Sequence, residues 1–138
     1  MFFLRIDLGY KSGLGHFNRS RSLMKCLGIK EYKFVVDKIP KGSFLNEEMS
    51  KILTLYEKGN FINEKDDAYK FSNLILKSSK APIVVKDSYR LGYIWEKFVF
   101  KKCKNLIVID DFPEKKHHTN YYINHNPTLL NSNLEIIK

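Results

Sequence analysis

Cysteine is scarce: Cys26 and Cys103 are the only two in 138 residues. So few, so far apart, they exclude a disulfide framework. Cys26 falls in a predicted helix and Cys103 directly follows another, and a small reduced core residue is the simplest role for each. No apolar run reaches the length of a transmembrane helix. The N-terminal run is short and broken by Arg5 and Asp7, which excludes a secretory signal peptide. There is no internal repeat, no low-complexity linker and no basic block, although the formal net charge is +9. The lysines are scattered, often beside Glu or Asp, and read as solvated surface rather than a nucleic-acid face. A mild positive bias still suits a phosphorylated substrate. What remains is a soluble, cytoplasmic chain with no membrane span. Its 43% of apolar residues is enough to build the core of one ordinary domain.

Hydrophobic patterning alternates strands with helices. Phe2 to Ile6 is a first strand ending at Asp7. Phe17 to Leu27 has helical spacing through Phe17, Ser20, Leu23, Met24 and Leu27, with Gly28 as its C-cap. Tyr32 to Val36 is a second strand ending at Asp37, and Pro40, Gly42 and Ser43 mark a loop. Phe44 to Leu53 fits a short helix with Leu45, Met49, Ile52 and Leu53 on one face, followed by a brief strand at Thr54 to Tyr56. Asn63 caps a helix whose first turn carries Glu64, Asp66 and Asp67 and whose buried stripe is Ala68, Phe71, Leu74 and Ile75. Pro82 to Val85 is a strand ending at Asp87. Leu91 to Lys102 is a helix with Ile94, Trp95, Phe98 and Val99 as core candidates. Leu106 to Ile109 is a continuous apolar strand ending at Asp110 and Asp111, broken by Phe112-Pro113. A polar segment holding His117 and His118 reads as a solvated loop, since no further ligand sits at metal-binding spacing. Tyr121 to Asn124 is a last strand, and no element is legible beyond Pro127.

This alternation predicts an α/β, Rossmann-like, mostly parallel sheet with helices on both faces. Ligands bind such sheets outside the carboxyl ends of the strands. Asp7, Asp37, Asp87 with Tyr89, and Asp110 with Asp111 all fall there, so the polar residues gather on one rim. Between the first strand and helix lies Gly13-Leu14-Gly15-His16-x-x-Arg19. Glycine lets a loop approach a ligand closely, and a histidine in the next helix's first turn sits beside unpaired N–H groups. A P-loop would need Lys-Ser/Thr where His16-Phe17 stands. A dinucleotide fingerprint would need glycine at Asn18, although Asp37 ends the second strand at a suitable distance.

Arg5-x-Asp7 with Gly13-Leu14-Gly15-His16-x-x-Arg19 resembles the N-terminal signature of the UDP-2,4-diacetamido-2,4,6-trideoxy-β-L-altropyranose hydrolases of pseudaminic acid synthesis. Related spore-coat polysaccharide proteins share it. More distantly, the glycine loop is similar to that of the peptidoglycan UDP-N-acetylglucosamine transferase. Asp87-Ser88-Tyr89 matches the family's strand ending in Asp-x-Tyr. Val108-Ile109-Asp110-Asp111, the histidine segment and Asn124-x-Asn126 resemble its later motifs, whereas Asn120 stands where relatives often carry Asp. The resemblance implies inverting hydrolysis of a UDP-linked sugar, with no cofactor and no metal. His16 would be the catalytic base that activates water, with Tyr89 beside it in the catalytic set. Asp7, Gly13, Leu14, Gly15, Arg19, Asp87 and Asp111 would bind substrate, while Asp110 fits a structural role at a strand end.

The family has two Rossmann-like domains in the glycosyltransferase-B manner, with the site between them. The expectation is therefore that residues 1–126 form the N-terminal domain. Residues 127–138 would be a tail or the start of a linker to an absent C-terminal domain, or to a partner chain in its place. Alone, the chain is expected neither to bind UDP tightly nor to hydrolyse the sugar nucleotide. The competing reading is a non-catalytic Rossmann-like module that binds a nucleotide or a partner, or half of a related glycosyltransferase.

Overall fold

The computed structural model describes residues 1–9, 13–42, 46–112, 114–124 and 136–137. Six parallel strands form one sheet in the order β3-β2-β1-β4-β5-β7: β1 (Phe2–Ile6), β2 (Tyr32–Val36), β3 (Ile52–Thr54), β4 (Ile83–Asp87), β5 (Asn105–Ile109) and β7 (Tyr121–Ile123). The helices are α1 (Gly15–Cys26), α2 (Glu64–Ser78) and α3 (Tyr93–Phe100). The arrangement is α/β and Rossmann-like. The chain runs outward from β1 through β2 to β3, then returns to place β4 on the other side of β1. The topological switch point therefore lies between the carboxyl ends of β1 and β4, the place where open sheets of this kind hold ligands.

The strands are short and almost fully apolar because both faces are covered. Leu4, Ile6, Phe34, Val36, Val85 and Ile109 face α1 and pack with Phe17 and Met24. Phe3, Val35, Val84, Leu106 and Val108 face the other way, onto Ala68, Phe71 and Ile75 of α2 and Trp95 and Val99 of α3. Asn63 caps α2 as its sequence predicts, its side chain accepting from the Asp66 N–H at 2.9 Å. Gly28 follows α1 at φ +66°, and the Ile29 N–H reaches back to the Met24 carbonyl at 3.0 Å, the six-to-one bond of a glycine-terminated helix.

Several expectations are corrected. Ile52 and Leu53 are strand rather than helix, preceded by a 3-10 segment at Asn46–Lys51. Their i, i+3, i+4 spacing with Met49 fits both a short helix and an apolar strand, and pairing with β2 decides it. α1 begins two residues before Phe17, at Gly15. Ile94 of α3 is 58% exposed, and Cys26 is exposed rather than core. His117 and His118 are not a solvated loop. They form a short strand, β6 (His117–His118), with His117 only 4% exposed, paired in parallel with β8 (Ile136–Ile137) in the tail where no element is legible in the sequence. Phe44, Leu45, Pro113, Asn126 and Pro127 lie outside the described residues. Among the described residues no helix is long and apolar enough to cross a membrane.

Candidate active site

The loop after β1 is closed on itself. Gly9 and Gly13 form an antiparallel bridge, with the Gly13 N–H donating to the Gly9 carbonyl at 2.8 Å. Gly13 has φ +61°, a left-handed backbone that a Cβ would strain. α1 then starts without the usual devices: Leu14 gives no side-chain cap, and no carboxylate stands in the first turn. The helix thus starts beside the rim, where a helix N-terminus favours an anion or a polarised oxygen. A Cβ on Gly15 would meet nothing within 4 Å, so packing does not require glycine there.

His16, in that first turn, is 7% exposed. Its Nδ1 lies 2.6 Å from Oδ1 of Asp87, the last residue of β4. A carboxylate oxygen only accepts, so Nδ1 carries the proton, and the lone pair of the neutral ring is on Nε2. Nε2 makes no hydrogen bond among the described residues. Asp87 is fully buried, and also accepts from Arg19 Nε at 2.9 Å, from Arg19 Nη2, and from the Ser20 hydroxyl at 3.4 Å. Burial opposes its ionisation, but the hydrogen bonds from His16 and Arg19 outweigh that and hold its carboxyl below the ordinary range.

Tyr89 stands over this pair, its ring edge-on to His16 with centroids 4.8 Å apart. Its hydroxyl donates to Asp111 Oδ2 at 2.5 Å, and Arg19 Nη1 reaches the same oxygen at 3.2 Å. Burial and the carboxylate of Asp111 raise the phenol above its usual pKa, so Tyr89 is a neutral hydrogen-bonding group rather than a base. His16, Arg19, Asp87, Tyr89 and Asp111 are thus brought together, with Gly13 to Gly15 alongside in the chain.

Asp7 has a different place. It accepts from the Ser88 hydroxyl at 2.9 Å, the Tyr89 N–H at 3.2 Å, and Arg90 Nη2 at 2.8 Å. It fastens the end of β4 to the end of β1 and so sets the height of Tyr89. Arg90 continues to Asp37 at 2.9 Å, bridging the ends of β1, β2 and β4. Asp110 Oδ1 accepts from the Phe112 N–H at 2.9 Å, the strand-end role expected of it.

Beneath the rim, on the α2–α3 face, lie charged pairings that patterning did not foresee. Arg5 is fully buried and bonded to Asp67, Asp37 and the Ile6 and Val35 carbonyls. Lys86, its register partner on β4, is fully buried against Glu96 at 2.7 Å. Glu96 also receives His117 Nδ1 at 2.8 Å. Burial disfavours charge on Glu96, yet His117 and Lys86 together lower its pKa. A cation at the centre of an apolar strand is the one sequence signal for such pairs, since a buried charge requires a partner.

A cavity of about 790 Å³ is lined by Leu8, Gly9, Asp37, Lys38, Tyr56 and Phe61 among others, and neither His16 nor Tyr89 borders it. It flanks the glycine loop on the β2 side. Arg90, bonded to Asp7 and Asp37, places its guanidinium 4.7 Å from the ring of Phe61 in the cavity wall. Among the described residues no three His, Cys, Asp or Glu side chains are grouped to hold a metal ion. Comparison with protein-family models, curated proteins and solved structures finds no match.

Proposed function

We propose that this chain is the catalytic-base half of a nucleotide-sugar hydrolase, in the N-terminal position of a glycosyltransferase-B-like enzyme. The reaction would cleave a UDP-linked diacetamido-trideoxy sugar to free sugar and UDP with inversion. The observation that carries the reading is the His16–Asp87 pair under Tyr89 at the switch point. It holds the Nδ1–H of the imidazole on a carboxylate that is itself kept ionised, so that the neutral tautomer carries its lone pair on Nε2. Water placed on Nε2 and steadied by the Tyr89 hydroxyl attacks the anomeric carbon. Its proton passes to Nε2 as the bond to the β-phosphate oxygen breaks and UDP leaves. The uncapped start of α1 offers N–H groups for the charge that develops on the leaving diphosphate. The cavity beside Leu8 and Phe61 has room for the apolar substituents of such a sugar.

The rim is acid-rich: Asp7, Asp37, Asp87 and Asp111 outnumber Arg19 and Arg90, which are already bonded to them. A diphosphate therefore needs further positive or N–H groups, which a second α/β domain or partner chain would bring. The test is release of UDP from the UDP-linked sugar by the chain joined to such a domain. His16→Ala should slow release about 10²- to 10⁴-fold, the worth of a positioned general base. Equal rates would remove His16 from the mechanism.

A further inference from the structure

We propose that the outer surface of α2 and α3 docks on an anionic lipid surface. Between Ala68 and Asn105 the only carboxylates are Asp87 and Glu96, and both are fully buried. This stretch therefore presents only positive charge to solvent. Lys70 pairs with Asp66, and Arg90 with Asp7 and Asp37. Lys77, Lys80, Lys97, Lys101, Lys102 and Lys104 are exposed and have no ion pair among the described residues. The scatter of lysines along the sequence thus becomes a predominantly basic surface once the fold hides these two acids, with Glu64 and Asp66 in the first turn of α2 engaged by the Gly92 N–H and by Lys70.

Apolar groups are set among these charges. On α3, Ile94, Lys97, Phe98 and Lys101 share a stripe at i, i+3, i+4, i+7. With Lys65 of α2 and Tyr93 they line a groove of about 560 Å³. On α2, Lys65, Tyr69 and Leu76 fall on one stripe at i, i+4, i+11. Ile94 is 58% exposed, Tyr69 59%, Leu76 42%, and Ile62, just before the α2 cap, 71%. Lysines alone would suit any polyanion, but exposed isoleucine, leucine and tyrosine gain nothing from a phosphodiester backbone. At a headgroup–acyl boundary the apolar side chains leave water while the lysines reach up to the phosphates. Like charge opposes self-association through this face. α1 and His16 lie on the opposite side of the sheet, so docking leaves the candidate site open, and this inference does not rest on the hydrolase reading.

The test is co-sedimentation of the 138-residue chain with vesicles of phosphatidylcholine alone and of phosphatidylcholine with phosphatidylglycerol. Binding is expected only to the anionic vesicles and should weaken as salt is raised. Lys97→Gln/Lys101→Gln/Lys102→Gln should lower it at least about tenfold, since each lysine at such a surface is worth roughly fivefold. Tyr69→Gln/Ile94→Gln should lower it several-fold, with the thermal unfolding of both variants unchanged because all five side chains are at the surface. Absence of binding to anionic vesicles would overturn the proposal. So would binding that Tyr69→Gln/Ile94→Gln leaves intact while RNA or heparin competes it away, which would mark a general polyanion face.

Discussion

Asp67→Ala should be among the most damaging single changes in this protein. Asp67 is fully buried on α2 and receives four donors: Arg5 Nε at 3.1 Å and Trp95 Nε1 at 2.8 Å on one oxygen, Arg5 Nη2 at 2.6 Å and the Tyr56 hydroxyl at 3.0 Å on the other. Breaking a buried ion pair by removing one partner costs about 3–5 kcal/mol, and each orphaned neutral donor adds roughly 1 kcal/mol. Arg5 keeps Asp37 and two backbone carbonyls, which offsets part of this, so we expect about 4 kcal/mol. At the usual unfolding entropy per residue, that lowers Tm by roughly 10–15 °C. Asp67→Asn should be nearly as costly, because its amide turns N–H groups toward N–H donors. Arg5→Met/Asp67→Leu should recover at least half of the loss, since it removes both charges and fills the space. Urea unfolding followed by circular dichroism and by Trp95 emission measures all three. A cost below about 1 kcal/mol for Asp67→Ala, the scale of an exposed pair, would refute the reasoning. So would a double variant no more stable than the single one.

Gly13→Ala, at φ +61°, should cost about 1–2 kcal/mol in urea unfolding, whereas Gly15→Ala should leave stability intact and impair only ligand approach. Equal losses would contradict the backbone argument. Asp37, Asp87 and Glu96 all have lowered pKa values in the fold. Their contribution to stability is therefore full above the ordinary carboxyl range and is lost as pH falls through the folded values. The urea midpoint should drop steadily below about pH 4.5, and less steeply in Glu96→Gln. Nitrogen-detected NMR should find the His16 proton on Nδ1 in the neutral ring and that preference lost in Asp87→Ala; an Nε2–H tautomer in the wild type would undo the base assignment. Cys26 should react quickly with a thiol reagent and Cys103 slowly, since Cys103 is half-buried and its thiol is pushed up to about 12. Cys26→Ser should remove the fast phase.

The strands and the cap of α2 were legible because their causes are local: an apolar run such as Leu106 to Ile109, an Asn before three acids. The rim was legible for the same reason, as each of its carboxylates follows an apolar run. The glycine loop and His16 stood out by spacing, and Asp87 and Tyr89 by their place after a strand. The partnerships were not local. Arg5 meets Asp67 across 62 positions and His16 meets Asp87 across 71. Asp67 reads as a carboxylate complementing the helix dipole until the fold turns it inward onto β1. His117 reads as solvent-exposed because its partner Glu96 looks like an ordinary charge on a helix. Asp7 illustrates a different limit: its position at the rim was legible, but its use in tying down Ser88 to Arg90 depends on how neighbouring strands end.

Strand parity joins the two halves of this picture. Lys86 and Asp87 are successive residues of β4 and point to opposite faces, Lys86 onto Glu96 under α3 and Asp87 onto His16 at the start of α1. On β1, Arg5 and Ile6 divide the same way, with Arg5 opposite Lys86 and Ile6 opposite Asp87. A one-residue slip of β4 would turn Lys86 toward Leu4, Ile6 and Phe17 with no carboxylate beyond the rim to meet it, and would withdraw Asp87 from His16. The cost of leaving Lys86 and Glu96 unpaired in the interior opposes that slip more strongly than the interchangeable apolar residues around them could. The ion pairs on the α2–α3 face thereby fix the register that places Asp87 under His16. α1 is then free to begin with an uncapped glycine, because the position of its histidine is set by the strand beneath it rather than by a cap of its own.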